Sequence, residues 1–219
     1  SKRVLGVSRV AVVHGAAGSA PVFTFIPGSD TLSTPGGESQ LCYKCHSSWT
    51  TQPAGQTDLA RVLNPNNPSF HPVEALGRNT NIAFGAFVTP WGPLSRTRCG
   101  DCHGSDDELA AGPHGSLNAG LLKRPYPASS QDRPADSNDL CFACHTYDVY
   151  ANRSASQSVH AWSRFNDPGA GKGHAEHVGG ENVPCYACHT THGSTALPTL
   201  LVIGRSPGIV SYTRTAGGG

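Results

Sequence analysis

Apolar residues are grouped in short runs near the two ends of the chain. The runs Val10–Val13 and Val22–Ile26 are rich in β-branched residues and predict two strands. Between them lies a glycine-bounded turn, residues 15–18, so we expect a hairpin-like arm with His14 at its tip. Two later runs, 200–203 and 209–212, predict one or two extended segments. No run approaches the ~18 apolar residues of a membrane-spanning helix, so we expect no membrane span.

Turn-forming residues limit what the rest of the chain can build. Of 219 residues, 26 are glycine and 17 are proline, which argues against long helices or an extended sheet. Hydrophobic residues make up 37%, which is too few for a thick core of side chains. We therefore predict a mostly irregular, loop-rich fold with short helices and a few terminal β-strands. Something other than side chains is expected to fill its interior.

The charge balance argues against a disordered chain and against a protein that binds nucleic acid or an anionic membrane. Lysine and arginine number 16 against 15 aspartate and glutamate, giving a net charge of +1. Together with the aromatic residues, this is not a disordered composition. It also gives no reason to expect a nucleic acid or an anionic membrane as partner.

Every cysteine of the chain falls in one repeated motif. The pattern C-x-x-C-H occurs four times, with its cysteines at Cys42 and Cys45, Cys99 and Cys102, Cys141 and Cys144, and Cys185 and Cys188. This pattern is the attachment signature of c-type haem, because two thiols bond the two vinyl groups of the macrocycle and the adjacent imidazole binds its iron. We predict four covalent haems that form the core, with proximal ligands His46, His103, His145 and His189.

Other uses of these cysteines fit the pattern less well. Zinc sites gather four cysteines, or two cysteines and two histidines, at short separations, whereas these motifs begin at widely spaced positions. A disulfide framework does not require a histidine after each second cysteine. A thioredoxin-like redox pair occurs once and follows a strand. Since c-type haem is attached outside the cytoplasm, we expect a periplasmic or extracellular protein whose export signal was removed ahead of Ser1.

A second axial ligand for each iron must come from histidine, because the chain has no methionine. Seven histidines remain beyond the four proximal ones, and four are needed. His160, in Val-His-Ala-Trp, has the weakest context and is predicted to be a bystander. In ranked order, the distal candidates are His71, His114, His177, His192, His14 and His174.

Local context gives this ranking. His71 lies in a rigid stretch between phenylalanine and proline, whose side chains would press on a porphyrin face. His114 and His192 each precede Gly-Ser and, further on, Leu-Leu, which suggests an internal repeat of a haem-binding unit. His174 and His177 form an i, i+3 pair on a predicted helix, so both cannot serve one iron from the same side.

The motifs also divide the chain. We predict an N-terminal strand arm at 1–40, a tetrahaem region at 41–195 and an extended C-terminal tail at 196–219. The tetrahaem region would consist of two two-haem halves, about 41–104 and 105–195, and the second half contains a polar linker at 126–134. Each motif is expected on a short helix, with Ser39 and Asp139 as candidate N-caps of the first and third.

These motifs and their surroundings resemble those of multihaem c-type cytochromes of metal-reducing bacteria. Among them, a four-haem chain of this size is similar to the polymerising extracellular cytochromes, the outer-membrane cytochrome E-like nanowire subunits. The resemblance covers about residues 40–195. It implies bis-histidine haems in alternating parallel-stacked and T-shaped pairs, and a filament in which a histidine of one subunit ligates a haem of the next. His14 or His192 would be that histidine.

The surplus of histidines indicates electron transfer rather than catalysis. A catalytic haem needs an open coordination position, and all four motifs end in histidine rather than in the lysine that multihaem nitrite reductases use. The expected partners are identical subunits in a filament, other redox cytochromes and an extracellular electron acceptor. A monomeric periplasmic shuttle is the alternative, and a reductase with one five-coordinate haem is the third possibility.

Overall fold

Short helices carry the cysteine motifs in the computed structural model, which describes residues 6–28, 37–79, 81–105, 114–126 and 133–213. The first motif closes helix α1, Gly37–His46, and the second lies on α3, Cys99–Cys102. The third lies on a 3-10 helix, Leu140–Ala143, and the fourth on α6, Cys185–Cys188. The predicted placement of every motif on a short helix is therefore confirmed.

The remaining helices have six residues or fewer, as expected from the density of glycine and proline. The α-helices are α2 Leu59–Val62, α4 Tyr147–Tyr150 and α5 Gln157–His160. The 3-10 helices are Phe84–Ala86, Ala119–Leu121, Ala161–Ser163 and Pro168–Ala170, and a π-helix spans Ala175–Gly180.

Strands pair only in twos within the described residues. The hairpin of β1, Arg9–Val13, and β2, Val22–Ile26, is antiparallel, with Val10 opposite Phe25. The other two antiparallel pairs join β3 Ser69–Phe70 with β6 Gly193–Ser194, and β4 Asn166–Asp167 with β5 Lys172–Gly173. The predicted loop-rich fold with short helices and few strands is confirmed.

Two local predictions differ from the structure. Helix α1 begins at Gly37, so Ser39 lies inside it and is not its N-cap. The C-terminal runs form an isolated bridge between Ile203 and Ile209 rather than strands. Thr199 and Leu200 adopt φ values of 50° and 59°, and this left-handed backbone interrupts the extended run.

The chain folds into two compact units. Unit 1 contains residues 1–78, 96–101 and 190–201, and unit 2 contains 79–95, 102–189 and 202–219. The polar linker predicted at 126–134 lies mostly outside the described residues. Within the described ranges, none of the helices has the length and apolar character needed to cross a membrane.

Each unit has only a small core of side chains. In unit 1, Val10 of the hairpin and Tyr43 of α1 are buried together with Ala60 and Leu63. In unit 2, the cluster consists of Phe142, Ala151 and Val178. Residues of the cysteine motifs take part in both clusters, so the small cores form where the motifs lie.

The N-terminal hairpin folds back onto its own unit. Its loop is held by Asn67, whose side-chain oxygen accepts a 2.8 Å hydrogen bond from the Gly18 N–H group. Asn66 donates to the carbonyl of Gly15 at 2.8 Å, and Asn64 donates to the same carbonyl at 3.3 Å. These contacts place His14 beside unit 1 rather than at a free tip.

Candidate haem-binding site

The first cysteines of the first two motifs meet in unit 1. The thiol of Cys99 donates a hydrogen bond to the sulfur of Cys42, which lowers the pKa of Cys42 and raises that of Cys99. Glu38, in the first turn of α1, accepts a 2.6 Å hydrogen bond from the N–H group of Gly100 inside the second motif. One carboxylate therefore connects the helices of two motifs that lie more than fifty residues apart.

The same arrangement recurs in unit 2 between the third and fourth motifs. The thiol of Cys141 donates to the sulfur of Cys185, raising the pKa of Cys141 and lowering that of Cys185. Both cysteines line a cavity together with Tyr126 and Asp139. Attachment of a haem converts these thiols to thioethers and removes their protons. The feature that bears on the haem site is therefore that the third and fourth motifs lie next to each other.

Among the proximal histidine candidates, a hydrogen bond orients His103 and two ring contacts orient His145. In His103, Nδ1 donates a 2.9 Å hydrogen bond to the carbonyl of Gly120. The ring of His145 lies between Phe87 and Tyr150, with ring centroids 5.3 and 5.5 Å away. His46 is exposed at the end of α1.

The fourth proximal candidate, His189, faces His174. Their ring centroids are 6.1 Å apart and the ring planes differ by only 16°. Burial lowers the pKa of His174 to about 3, with further contributions from the neighbouring His189, His145 and His177. Its buried Nδ1 atom has no hydrogen-bond partner among the described residues. His174 is therefore neutral, which is the state in which imidazole binds a metal.

Two distal candidates donate their Nδ1 proton to a backbone carbonyl. His71 donates to Thr191 at 2.5 Å and His177 donates to Gly173 at 2.8 Å. This contact is common in metal-ligating histidines, because it fixes the tautomer and leaves Nε2 free for the metal. His71 and His192 also lie side by side, since the His71 N–H group donates to the carbonyl of His192 at 2.8 Å.

The other histidines have different surroundings. The Nε2 atom of His14 lies 2.8 Å from a carboxylate oxygen of Glu74. His160 is buried, and its Nε2 lies 2.9 Å from the carbonyl of Asn152, an arrangement that fits the bystander role. His114 is exposed in a turn of unit 2, next to residues that the structure does not describe.

None of the eight cysteines forms a disulfide. Among the described residues, no group of three or more histidine, cysteine, aspartate and glutamate side chains is arranged to hold a metal ion. A haem iron needs only two protein ligands, because the macrocycle supplies the other four. His174 and His189, with ring centroids 6.1 Å apart, lie close enough together to supply two such ligands.

Comparison with protein families matches residues 92–149, which contain the second and third motifs, to the doubled CXXCH motif. The match indicates a multihaem c-type cytochrome. Comparisons with curated proteins and with solved structures find no match. The CXXCH motifs imply covalently bound haem c as the cofactor, and the chemistry of such a cofactor is electron transfer.

The residues present fit this cofactor. Two imidazoles on opposite faces of one iron have ring centroids about 6 Å apart, from metal–nitrogen bonds of about 2 Å and about 1 Å from each nitrogen to its ring centre. The 6.1 Å between His174 and His189 agrees with this value. Both cysteines of the fourth motif lie on the helical turn Cys185–Cys188, and His189 follows directly after it, as attachment of the macrocycle requires.

Sequence reasoning missed the residues that surround the motifs. Glu38, Glu74 and Arg205 contact motif residues, yet none belongs to a recognisable pattern. The one sequence feature that could have pointed to Arg205 is that it is the first lysine or arginine after the fourth motif.

Proposed function

We propose that this cytochrome transfers electrons through four covalently bound haems, each with two histidine ligands. The cysteines of the four motifs would hold the macrocycles, with His46, His103, His145 and His189 as proximal ligands. The distal ligands would come from the six ranked candidates. The haem supplies an iron that cycles between the ferric and ferrous states. The protein supplies its ligation, spacing and burial.

The observation that carries this proposal is the separation of His174 and His189. The centroid distance is the one that two imidazole ligands of one iron would have, and an iron held by both would have no open position for a substrate. An iron with both axial positions filled exchanges electrons without binding a reactant. The pairing also favours His174, the last of the ranked distal candidates, for the fourth haem. His177, three residues further on, then remains available for a different iron.

The paired cysteines support electron transfer over short distances. Cys42 contacts Cys99, and Cys141 contacts Cys185, so two haem attachment points adjoin in each unit. Haems bonded at adjoining sulfurs have neighbouring edges. We therefore propose that the first and second haems form one pair and that the third and fourth haems form another.

The test is a haem count combined with the spin state of each iron. Intact mass and a pyridine haemochrome assay should give four haems per chain, and electron paramagnetic resonance of the oxidised protein should show only low-spin iron. Fewer than three haems, or bound zinc, would overturn the cofactor assignment. High-spin iron or tight cyanide binding in the unaltered protein would favour the reductase.

Variants of His174 test its proposed pairing with His189 directly. His174→Ala should convert one of the four haems to high spin without lowering the haem count. His174→Met should give that haem the red charge-transfer band of methionine ligation, which the unaltered chain cannot show because it lacks methionine. His160→Gln is the matched control, since His160 donates to the carbonyl of Asn152, and it should leave all haems low-spin. Unchanged spectra in both His174 variants would refute the pairing.

We further propose that the chain is a subunit of a head-to-tail filament at the cell surface, with its own copies and an extracellular electron acceptor as partners. The hairpin supports this proposal, because neither of its strands has a second neighbour among the described residues. Its side chains Val13, Val22 and Phe25 are more than half exposed, at 62%, 65% and 52%. Open strand edges and exposed apolar side chains favour association with another chain.

Microscopy and sedimentation separate the filament from a monomeric periplasmic shuttle. Negative-stain images should show unbranched filaments, and the sedimentation coefficient should rise with concentration. His14→Ala and His192→Ala, made separately, test a ligand that crosses between subunits. If neither variant alters haem ligation or assembly, the crossing ligand is excluded. A protein that remains monomeric at high concentration excludes the filament.

A further inference from the structure

The C-terminal segment 202–209, here called the tail segment, runs along the helix of the fourth motif, α6. The N–H group of Val202 donates a 2.9 Å hydrogen bond to the carbonyl of Cys188. Gly208 lies so close to α6 that a Cβ atom there would overlap the carbonyl oxygen of Ala187. The tail segment therefore covers the carbonyl groups at the end of α6, which the helix itself leaves unpaired.

Arg205 is the charged residue of this contact. Its guanidinium lies 3.7 Å from the ring centroid of Tyr186, which stands between the two cysteines of the motif. The same group donates to the carbonyls of Tyr186 and His189, the second at 2.8 Å. A cation is thus fixed at the carboxyl end of the haem-binding helix, where the helix dipole also favours it.

The charge of Arg205 has no carboxylate partner among the described residues; the three ion pairs found there involve other residues. The guanidinium is half-buried, which weakens screening by water.

We propose that Arg205 is a positioning residue that also raises the reduction potential of the haem at the fourth motif. This inference rests on the proposed function, because it requires a haem bound at Cys185, Cys188 and His189. Reduction of the iron removes one positive charge, so a nearby fixed cation favours the reduced state. The hydrogen bond from Arg205 to the His189 carbonyl places that cation at the ligand residue itself.

The test is a spectroelectrochemical titration of the haem-loaded protein and its variants. Arg205→Gln should shift one of the four one-electron steps to lower potential and leave the other three nearly unchanged. Arg205→Lys keeps the charge but loses the forked contact with two carbonyls, and it should retain the potential. Arg78→Gln is the control, because it removes the same charge from an arginine of unit 1 that donates to the carbonyl of Pro65. It should leave unchanged the potential of the step that Arg205→Gln lowers.

The outcomes separate a charge effect from a structural one. Equal shifts in Arg205→Gln and Arg205→Lys, or no shift in either, would overturn the proposal. Intact mass and electron paramagnetic resonance of each variant show whether four low-spin haems remain. If the unaltered protein itself fails to show four such haems, the proposed function fails independently of Arg205.

Discussion

The hydroxyl of Tyr43 donates a 2.5 Å hydrogen bond to the carboxylate of Glu74. Tyr43 stands between the two cysteines of the first motif and is only 1% exposed. The other oxygen of Glu74 lies 2.8 Å from His14 on the hairpin. Burial and the Glu74 carboxylate raise the pKa of Tyr43 far above its usual value, so the hydroxyl keeps its proton and remains a donor. One carboxylate thus connects the hairpin to the first haem-binding helix.

We expect Tyr43→Phe to lower the free energy of unfolding by about 2 kcal/mol, since a hydrogen bond to a carboxylate contributes roughly 1.5–3 kcal/mol. Far-UV circular dichroism during thermal or denaturant unfolding of the haem-loaded protein measures this change. Tyr186→Phe is the matched control, because Tyr186 holds the same place in the fourth motif and its hydroxyl has no hydrogen bond within the described residues. Equal losses in the two variants would contradict the role assigned to Glu74.

Glu38 gives a second prediction, which concerns the contact between the first and second motifs. Its carboxylate accepts the hydrogen bond of the Gly100 N–H group at the start of α3. Glu38→Ala removes this acceptor and should cost about 2 kcal/mol of unfolding free energy. Glu38→Gln keeps a side-chain oxygen and should cost less. The same unfolding measurement distinguishes the variants, and a Gln variant no more stable than the Ala variant would show that the hydrogen bond contributes little.

The elements that the sequence predicted are those fixed by neighbouring residues. The hairpin follows from the β-branched runs at Val10–Val13 and Val22–Ile26, and its strands match these runs except that the first begins one residue earlier, at Arg9. The motif helices follow from the C-x-x-C-H spacing, because both thiols and the imidazole must lie on one turn. These local patterns also identify the cofactor, which the doubled CXXCH match supports at residues 92–149.

The missed features depend on contacts between residues far apart in the chain. Tyr43 and Glu74 are 31 positions apart, and Arg205 lies 16 positions beyond His189. No periodicity predicts such pairs, because only the folded backbone brings them together. The ring contact between His174 and His189 was equally inaccessible, since His174 and His177 lie on one helical turn and only the fold brings a ring of this pair close to His189.

Asp139 gives a third prediction, which concerns the third and fourth motifs. It is buried at the position before the third motif helix, where its carboxylate accepts from Arg133 and from the Asp136 N–H group at 3.0 Å rather than capping the helix. Its negative charge contributes to raising the pKa of Cys141, behind the hydrogen bond to Cys185 and burial. A carboxylate near an iron favours the oxidised state.

Asp139→Asn should therefore raise the reduction potential of the third haem, the fourth haem or both, opposite in sign to the shift expected for Arg205→Gln. Spectroelectrochemical titration measures the direction of the change. Asp136→Asn is the control, because Asp136 is exposed and contacts Asp139 only through its backbone N–H and carbonyl groups. A fall in potential in Asp139→Asn would contradict the electrostatic argument for this pair of haems.

The last prediction concerns Gly193, which pairs with Phe70 in the short sheet of β3 and β6. A Cβ atom at this buried position would overlap the carbonyl oxygen of Val62, so the backbone must move to accept any other residue. Gly193→Ala should lower the unfolding free energy by more than about 2 kcal/mol, as substitutions that overpack a buried site do. The displacement would also reach His192, the preceding residue, and His71, which donates its N–H group to the His192 carbonyl.

A change in haem ligation should therefore accompany the loss of stability in Gly193→Ala. Electron paramagnetic resonance would show altered low-spin signals from the haems that His71 and His192 serve, with the haem count unchanged. Gly77→Ala is the control in the same unit, because a Cβ atom there would meet nothing within 4 Å. Replacement of glycine by alanine at such a site restricts the unfolded chain and should be neutral or slightly stabilising.

If Gly193→Ala proves as stable as Gly77→Ala, the close approach of β6 to Val62 does not limit the stability of the fold. If its stability falls while every haem signal is unchanged, neither His71 nor His192 is a ligand.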